Sequence, residues 1–513
     1  MSGPDSGPGR GPLTGRAPTR PGFDASPPVG RTLVRLGLAL VLLYAGLGIG
    51  IGYWQVLDAE ALTNNPLDPL VVQEREAPRG RILDARGVVL ADTVDGQRRY
   101  RDVNLANVIG YASRRFGAAG LEQTYDAELI GLASGSSTAD MLRKFQRERF
   151  QPQALHLSID VRLQDYAARL LGSQRGAIVA MEPATGRILA FVSTPTYDPN
   201  ALADPARDDA TMVRLQADAA APLLDRAAQG RYVPGSVFKL VTGMAALEAG
   251  AVTPDTKYPT QPAEEKTGYL VGGFRVQDGH HPFTDDTVLD FSQAVEVSCN
   301  IYFAHTAVAL GGGALRTFAD SAGFDAPIPF ELPTAASQVT GGAPGPNGGF
   351  KDIVEVANAG YGQSQVLVTP LQMALVADAI ATGGTFMRPR IVDSIESADG
   401  SLRQFPDQSL GRIASASTTT IMRNAMIQAV EGVWGRRFAG EAKVPNVTTA
   451  GKSGTAELGP GQQPHSWFAG FAPANDPRIV VAVIVEHGGF GSVRAVPLAG
   501  DVMTYYLTKI VGS

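Results

Sequence analysis

Cysteine is almost missing from this chain: Cys299 is the single one among 513 residues. That excludes a disulfide within the chain and a cysteine-rich zinc cluster. Histidine is sparse as well, six in all, with no H-E-x-x-H pair. Linear spacing therefore gives no metal signature, and no metal or organic cofactor is expected. Basic residues are not in excess, 44 Lys and Arg standing against 50 Asp and Glu for a net charge of -6. This is no electrostatic footprint for nucleic acid. From Met1 to about Gly30 large apolar residues are nearly absent, the segment being mostly Gly, Pro, Ser, Thr, Ala and Arg. Such a composition cannot bury enough surface to fold, and residues 1–35 are expected to form a disordered tail. Long apolar runs are scarce too. Residues 36–57, beginning LGLALVLLYAGLG, form a hydrophobic stretch of about 22 uncharged residues, enough to cross a hydrocarbon layer of roughly 30 Å as a helix, and no second hydrophobic span occurs. A multi-pass transporter is excluded, and the bulk of the chain must fold in water.

Arg10, Arg16, Arg20, Arg31 and Arg35 precede that run against Asp5 and Asp24. The positive-inside rule then places the N-terminus in the cytoplasm and everything beyond Leu57 outside the cell membrane, on a single span. A cleaved signal peptide is the competing reading, since Ala59-Glu60-Ala61 spells an A-x-A site. The length of the run and of the tail ahead of it favours an uncleaved anchor.

Residues 58–153 alternate short strand-like and helical pieces with charged turns such as Glu74-Arg75-Glu76 and Asp95-Gly96-Gln97-Arg98-Arg99. We expect a small α+β membrane-proximal module there. The division is set before the alternating Leu155, Leu157 and Ile159, which reads as a strand entering a larger unit, 154–513. In that unit Gly176–Met181 and Arg187–Ser193 flank the turn Glu182-Pro-Ala-Thr-Gly186, which predicts a hairpin. A second pair, Ser466–Phe471 and Arg478–Val485, flanks a turn at Pro473–Pro477. Between these pairs the pattern is mainly helical, as at Thr369–Ala381, where Thr369 can cap and Pro370 suits the first turn. The expected fold is α/β, a mixed antiparallel sheet flanked by helices.

A serine hydroxyl needs a proton acceptor within hydrogen-bond reach to act as a nucleophile at neutral pH. Ser236-Val-Phe-Lys239 supplies one, with Pro234-Gly235 breaking the chain just ahead and the apolar run Leu240–Leu247 following. Ser236 is thus expected in the first turn of a helix, with Lys239 on the same face and free backbone N–H groups nearby to stabilise an oxyanion. A short S-x-x-K match is weak evidence alone, and a capped helix with a surface lysine has the same spelling. Two more segments strengthen it. Ser298-Cys299-Asn300 is the one S-x-N triplet, its two polar side chains expected to point one way while Cys299 faces inward as a buried thiol. Lys452-Ser453-Gly454-Thr455 offers a cation, two hydroxyls and a glycine after strand-compatible residues. That suits a carboxylate-binding edge strand where glycine lets a substrate backbone approach. Lys266-Thr267-Gly268 spells K-T-G more literally, but it precedes Ser298 and follows Glu264 and Glu265, in what reads as a solvated loop.

S-x-x-K, S-x-N and K-[ST]-G in this chain order resemble the penicillin-recognising serine transferases and hydrolases. Wider stretches are similar to the class B penicillin-binding proteins: Ala77-Pro-Arg-Gly-Arg-Ile-Leu-Asp84, Arg231-Tyr-Val-Pro-Gly-Ser236, Val368-Thr-Pro-Leu-Gln-Met-Ala374, Ala450-Gly-Lys-Ser-Gly-Thr-Ala456 and His465-Ser-Trp-Phe-Ala-Gly-Phe-Ala-Pro473. Two positions depart from that pattern: Asp225 stands where asparagine is frequent, and Ser364 where glycine is common.

The resemblance implies a peptidoglycan D,D-transpeptidase of the transpeptidase fold. In it Ser236 would attack the D-Ala-D-Ala carbonyl of a stem peptide, Lys239 would take its proton, Ser298 would relay a proton to the leaving amine and Asn300 would hold the peptide amide. Lys452, Ser453, Gly454 and Thr455 would bind the terminal carboxylate. Implied partners are peptidoglycan stem peptides, beta-lactams, and a polytopic glycan polymerase of the shape, elongation, division and sporulation family. A D,D-carboxypeptidase, a beta-lactamase and a non-catalytic wall-peptide or beta-lactam sensor use the same pocket, and the anchor and proximal module tell against the beta-lactamase. The roughly 95 residues between span and C-terminal unit are too few for a glycosyltransferase domain.

Overall fold

The structure is a computed structural model describing residues 28–52, 77–131, 151–278, 281, 287–345 and 347–512. The chain divides into two units, Met1–Val71 and Val72–Ser513. In the first, helix α1 spans Pro28–Gly52, and its stretch Thr32–Gly50 is long and apolar enough to cross a membrane. It begins earlier than the apolar run alone suggests, because Pro28 suits a helix start and nothing in Val29–Arg35 breaks one. The expected continuation to Leu57 lies outside the described residues, as does most of the expected tail. A single-pass anchor fits this helix.

In the second unit the strands in chain order begin with β1 (Ile82–Leu83), β2 (Val89–Val94), β3 (Gln97–Tyr100) and β4 (Ala154–Leu157). Next come β5 (Gly176–Met181), β6 (Ile188–Thr194), β7 (Val392–Glu396) and β8 (Leu402–Gln404). The last are β9 (Ala450–Ala456), β10 (His465–Ala472) and β11 (Ile479–Val485). The helices that position the site are α2 (Val161–Leu171), α3 (Lys239–Glu248), α4 (Gln261–Thr267), α5 (Phe291–Glu296), α6 (Asn300–Leu310), α7 (Pro370–Ala381), α8 (Ala416–Glu431) and α9 (Ala495–Tyr505).

The central sheet is five-stranded and antiparallel throughout, in the order β9-β10-β11-β5-β6. Both expected hairpins are in it. Strand alternation sends successive side chains to opposite faces, so Val480, Ala482 and Ile484 join one core while Ile479, Val481 and Val483 join another. This is why β11, IVVAVIV, is apolar at every position and buried at every position. One face is covered by α2 and α9, the other by the helical region around α7, whose residues are all buried. Thr369 caps α7, its hydroxyl accepting from the Gln372 N–H at 3.1 Å, with Pro370 in the first turn as its sequence suggests.

A second sheet, ordered β8-β7-β4-β1-β2-β3, joins the proximal segment to the rest. Strand β4 lies parallel to β1 and antiparallel to β7, so residues 154–157 bridge the segment before them and a strand more than 230 positions later. Strand β4, which opens the expected larger unit, is thus paired with β1 of the proximal segment. Local alternation identifies a strand but not its partners, which are set by the chain returning from far away.

Candidate active site

Ser236 sits in a 3-10 turn, Gly235–Phe238, that runs directly into α3. The sequence suggests an α-helical first turn. The tighter 3-10 turn places i and i+3 in line and so keeps Ser236 and Lys239 on one side. Proline at 234 and a left-handed Gly235, φ 54°, start the turn. The turn is pinned from three sides: Gly235 N–H donates to Gly362 O at 2.9 Å, Tyr232 pairs with Val368, and the Trp467 indole donates to Val233 O at 3.0 Å.

Strand β9 is the edge of the central sheet, and Gly454 lies against the Ser236 turn. A β-carbon there would come within 3.0 Å of both Pro234 O and Val237 Cγ1. The sequence suggests that this glycine makes room for substrate. The structure shows another reason: it lets β9 close on the turn carrying the nucleophile, and a β-carbon on Gly235 would likewise strike Thr455 O at 2.5 Å.

Between these elements Ser298-Cys299-Asn300 forms the turn from α5 to α6. Ser298 has a positive φ, 63°, and Cys299 is the buried N-cap of α6. Lys239 Nζ donates to Ser298 O, to Asn300 Oδ1 at 2.8 Å and to Ser298 Oγ at 3.4 Å. Lys452 Nζ donates to the same Ser298 Oγ at 2.8 Å and to Ser453 O at 3.0 Å. Three motif segments, with Lys239 59 residues before Ser298 and Lys452 154 residues after it, therefore meet on one hydroxyl. Ser236 is half-buried, and among the described residues its hydroxyl makes no hydrogen bond, leaving it available to a ligand.

Both ammonium groups are fully enclosed. Burial pushes Lys239 down to about 8, partly offset by the Asp278 and Cys299 charges. Burial, with the neighbouring Lys239, also holds Lys452 well below the usual lysine range. Two lysines sharing one hydroxyl cannot both be charged cheaply, so one is poised as a base while a bound anion would restore charge to the other. Lys266-Thr267-Gly268 has no part in this cleft. Lys266 is exposed in the last turn of α4, a short helix where the sequence suggests a loop.

The fold also assembles something linear spacing conceals. Glu265 from α4, Asp278 and His281 bring one donor atom each to within 4.8 Å of one another, directly behind the S-x-N turn. Cys299 Sγ lies 3.7 Å from Glu265 Oε1, and Asp278 Oδ2 accepts from Asn300 N–H at 2.7 Å. They come from three separate segments of the chain, so only the folded chain reveals them as a group.

The departures from the family pattern are accounted for locally. Asp225 is buried, its Oδ1 accepting from Ala227 and Ala228 N–H, and burial raises its carboxyl to about 7. It is largely neutral below that pH and behaves as an asparagine would. Ser364 has φ 65°, a conformation glycine adopts without strain.

Comparison with known proteins gives the same picture. Residues 176–504 match the model of the penicillin-binding protein transpeptidase domain, and residues 79–152 that of the penicillin-binding protein A dimerisation domain. A peptidoglycan D,D-transpeptidase PbpA of Mycolicibacterium smegmatis is 33% identical over 482 residues, 89% of this chain and 94% of that protein. The penicillin-binding protein A of M. tuberculosis, solved as an imipenem acyl-enzyme complex, superposes with a TM-score of 0.74 at 31% identity, covering 85% of this chain and all of that one. Pseudomonas aeruginosa PBP2 superposes with a TM-score of 0.70 at 29% identity, over 85% of this chain and 98% of its own. The chain belongs to the penicillin-binding protein transpeptidase family, among its class B members.

Proposed function

We propose that Ser236 is the nucleophile of a peptidoglycan D,D-transpeptidase and that Lys239, Ser298, Asn300 and the Lys452–Thr455 segment are its working parts. The observation that carries this is the meeting of Lys239 and Lys452 on Ser298 Oγ. The Ser236 oxygen attacks the carbonyl carbon of the penultimate D-alanine, and its proton passes to neutral Lys239. Oxyanion charge falls between the backbone N–H groups of Ser236 and Thr455, a contribution of roughly 3 to 4 kcal/mol per donor. Ser298, hydrogen-bonded to both lysines, relays a proton to the departing D-alanine nitrogen. Asn300, held by Lys239, receives the peptide amide. The substrate carboxylate takes the side of Lys452 with the Ser453 and Thr455 hydroxyls. An amine of a neighbouring stem then attacks the ester, forms the cross-linking amide and returns the proton to Ser236.

The anchor is oriented with its N-terminus in the cytoplasm, supported by the arginines ahead of it. Residues 58–153 act as a pedestal between span and transpeptidase unit, and with the membrane helix they dock a polytopic glycan polymerase. The family resemblance and the exposed Arg81 of the Ala77–Asp84 motif support this docking, Arg79 and Asp84 being turned inward. Fluorescent-penicillin labelling of the wild type and Ser236→Ala, with mass spectrometry of the adduct and analysis of the cross-links formed, tests the central reading. An adduct on another serine overturns it, and trimmed stems without cross-links make the enzyme a carboxypeptidase.

A further inference from the structure

We propose that Glu486 is a positioning residue that couples the two halves of the cleft, setting the nucleophile turn through Tyr232 and the Thr455 hydroxyl through the loop it opens. The proposal rests on the roles given above to Ser236 and Thr455. Glu486 directly follows β11, and its side chain is only 7% exposed. Its carboxylate Oε1 accepts from Arg226 Nε at 2.8 Å and from the Tyr232 hydroxyl at 2.9 Å, while Oε2 pairs with Arg175 Nε at 2.9 Å. The Arg226 guanidinium is fully buried and also donates to Ala221 O at 3.0 Å and Ala220 O at 2.6 Å. So enclosed a pair gives the Tyr232 hydroxyl a fixed anchor rather than a mobile surface charge.

That anchor lies four residues ahead of Ser236. Burial, together with the Glu486 charge, holds the Tyr232 phenol well above its usual range, so it stays a donor wherever the enzyme works. The Tyr232 backbone pairs with Val368, and the next carbonyl, Val233 O, receives the Trp467 indole. Side chain and main chain are thus both held just before the turn that presents the nucleophile. Misplacing a reacting oxygen by about 1 Å can cost roughly a hundredfold in rate, so small slack at this anchor matters.

The second arm is the loop itself. After Glu486 the chain turns back at His487, φ 52°, and is pinned to β10 where Ser466 Oγ donates to Phe490 O at 3.2 Å. Gly491 then lies so close to β9 that a β-carbon on it would stand 2.4 Å from Gly454 O. This approach lets Gly491 N–H donate to Thr455 Oγ1 at 3.1 Å. With its oxygen accepting there, the Thr455 hydroxyl keeps its hydrogen for an acceptor in the cleft, which is what a substrate carboxylate requires.

The test follows penicillin acylation of the full chain in detergent over a range of concentrations, which separates the binding constant from the acylation rate constant. Tyr232→Phe should lower the rate constant about tenfold and leave binding within about twofold. Gly491→Ala should do the reverse, weakening binding about tenfold with a smaller change in rate. Glu486→Gln, which keeps the size but removes the charge on Arg226, should lower both, and adding Tyr232→Phe to it should cost less than the product of the two single effects. Tyr232→Phe acylated at the wild-type rate overturns the first arm, and Gly491→Ala with unchanged binding overturns the second. A Glu486→Gln protein that melts earlier but keeps both constants makes the residue structural only. Each of these can occur with the wild type labelled at Ser236 and so leaves the transpeptidase reading standing, whereas an adduct on another serine brings down both.

Discussion

Buried cations are handled in opposite ways in the proximal module and in the cleft. In the module Arg79 and Arg98 close on Glu122 from both sides, at 2.5 and 2.6 Å, and Arg79 adds Asp126 at 2.7 Å. Burial alone would raise the Glu122 carboxyl, and the two guanidiniums overcome it and hold it below the usual carboxylate range. In the cleft Lys239 and Lys452 are just as enclosed, yet their hydrogen-bond partners are neutral: a hydroxyl, an amide and carbonyls. A matched buried charge holds a fold together. An unmatched one is a place for a ligand's charge, and the cost of keeping it marks a functional site.

The sharpest way to break this contrast is Glu122→Gln, which leaves the buried Arg98 guanidinium without a carboxylate and Arg79 with Asp126 alone. We expect a loss of about 3 to 5 kcal/mol in denaturant unfolding, while the folded fraction is acylated by penicillin at the wild-type rate. By linkage, a carboxyl held low in the folded state contributes stability above its unfolded value near 4.3 and loses it as pH falls through the folded value. The wild type should therefore lose this increment in acid and Glu122→Gln should not. A slowed acylation would show that the module's charges serve the cleft after all.

Lys452→Ala is the converse change. Removing the partner of the substrate carboxylate should cost about 1.5 to 3 kcal/mol in transition-state binding, roughly ten- to a hundredfold in acylation efficiency. Stability should hold or rise, since an unmatched buried charge is gone. Lys266→Ala, in the literal K-T-G, should change acylation by less than about twofold. The reverse ranking on equally stable proteins would move the carboxylate site to α4.

Much of this was legible before folding. The three motif segments, both hairpins of the central sheet and the Thr369 cap are local patterns, and local patterns fix themselves in sequence. What could not be read depends on return of the chain. Strand β4 finds β7 more than 230 residues away, and Glu265, Asp278, His281 and Cys299 converge from three segments with no common spacing. Gly454 was legible as a glycine needing room but not as one needing it for Val237. The burial that separates Lys452 from Lys266 is likewise a property of the sheet edge, invisible in two nearly identical triplets.

The pH profile of acylation sharpens the contrast further, because a matched cation would not titrate in the working range. Lys239 must be neutral to accept the Ser236 proton, and burial brings it down to about 8. The acylation rate should climb close to tenfold per pH unit below about 8 and level off above it. A flat profile from pH 6 to 9 would assign the proton to another group.

The smallest effect concerns backbone strain at the cleft. Ser298 and Ser364 both have positive φ there, 63° and 65°, whereas the module's one such non-glycine residue among those described, Asp95, sits in a hairpin turn. Ser364 lies two residues beyond Gly362, whose carbonyl receives the Gly235 N–H at the start of the nucleophile turn. Ser364→Gly removes a left-handed penalty of about 1 to 2 kcal/mol and gives part of it back through the greater freedom of glycine in the unfolded chain. The expected balance is a gain of about 0.5 to 1 kcal/mol, read as a melting temperature raised by about 1 to 3 °C in a chain of this size. Acylation should stay within about twofold, since relieving strain in the wall leaves the Lys239–Ser298–Lys452 geometry in place. A stabilised protein with acylation down tenfold or more would mean that strain at Ser364 helps aim the nucleophile turn, and the division between a structural module and a poised cleft would then extend to the backbone itself.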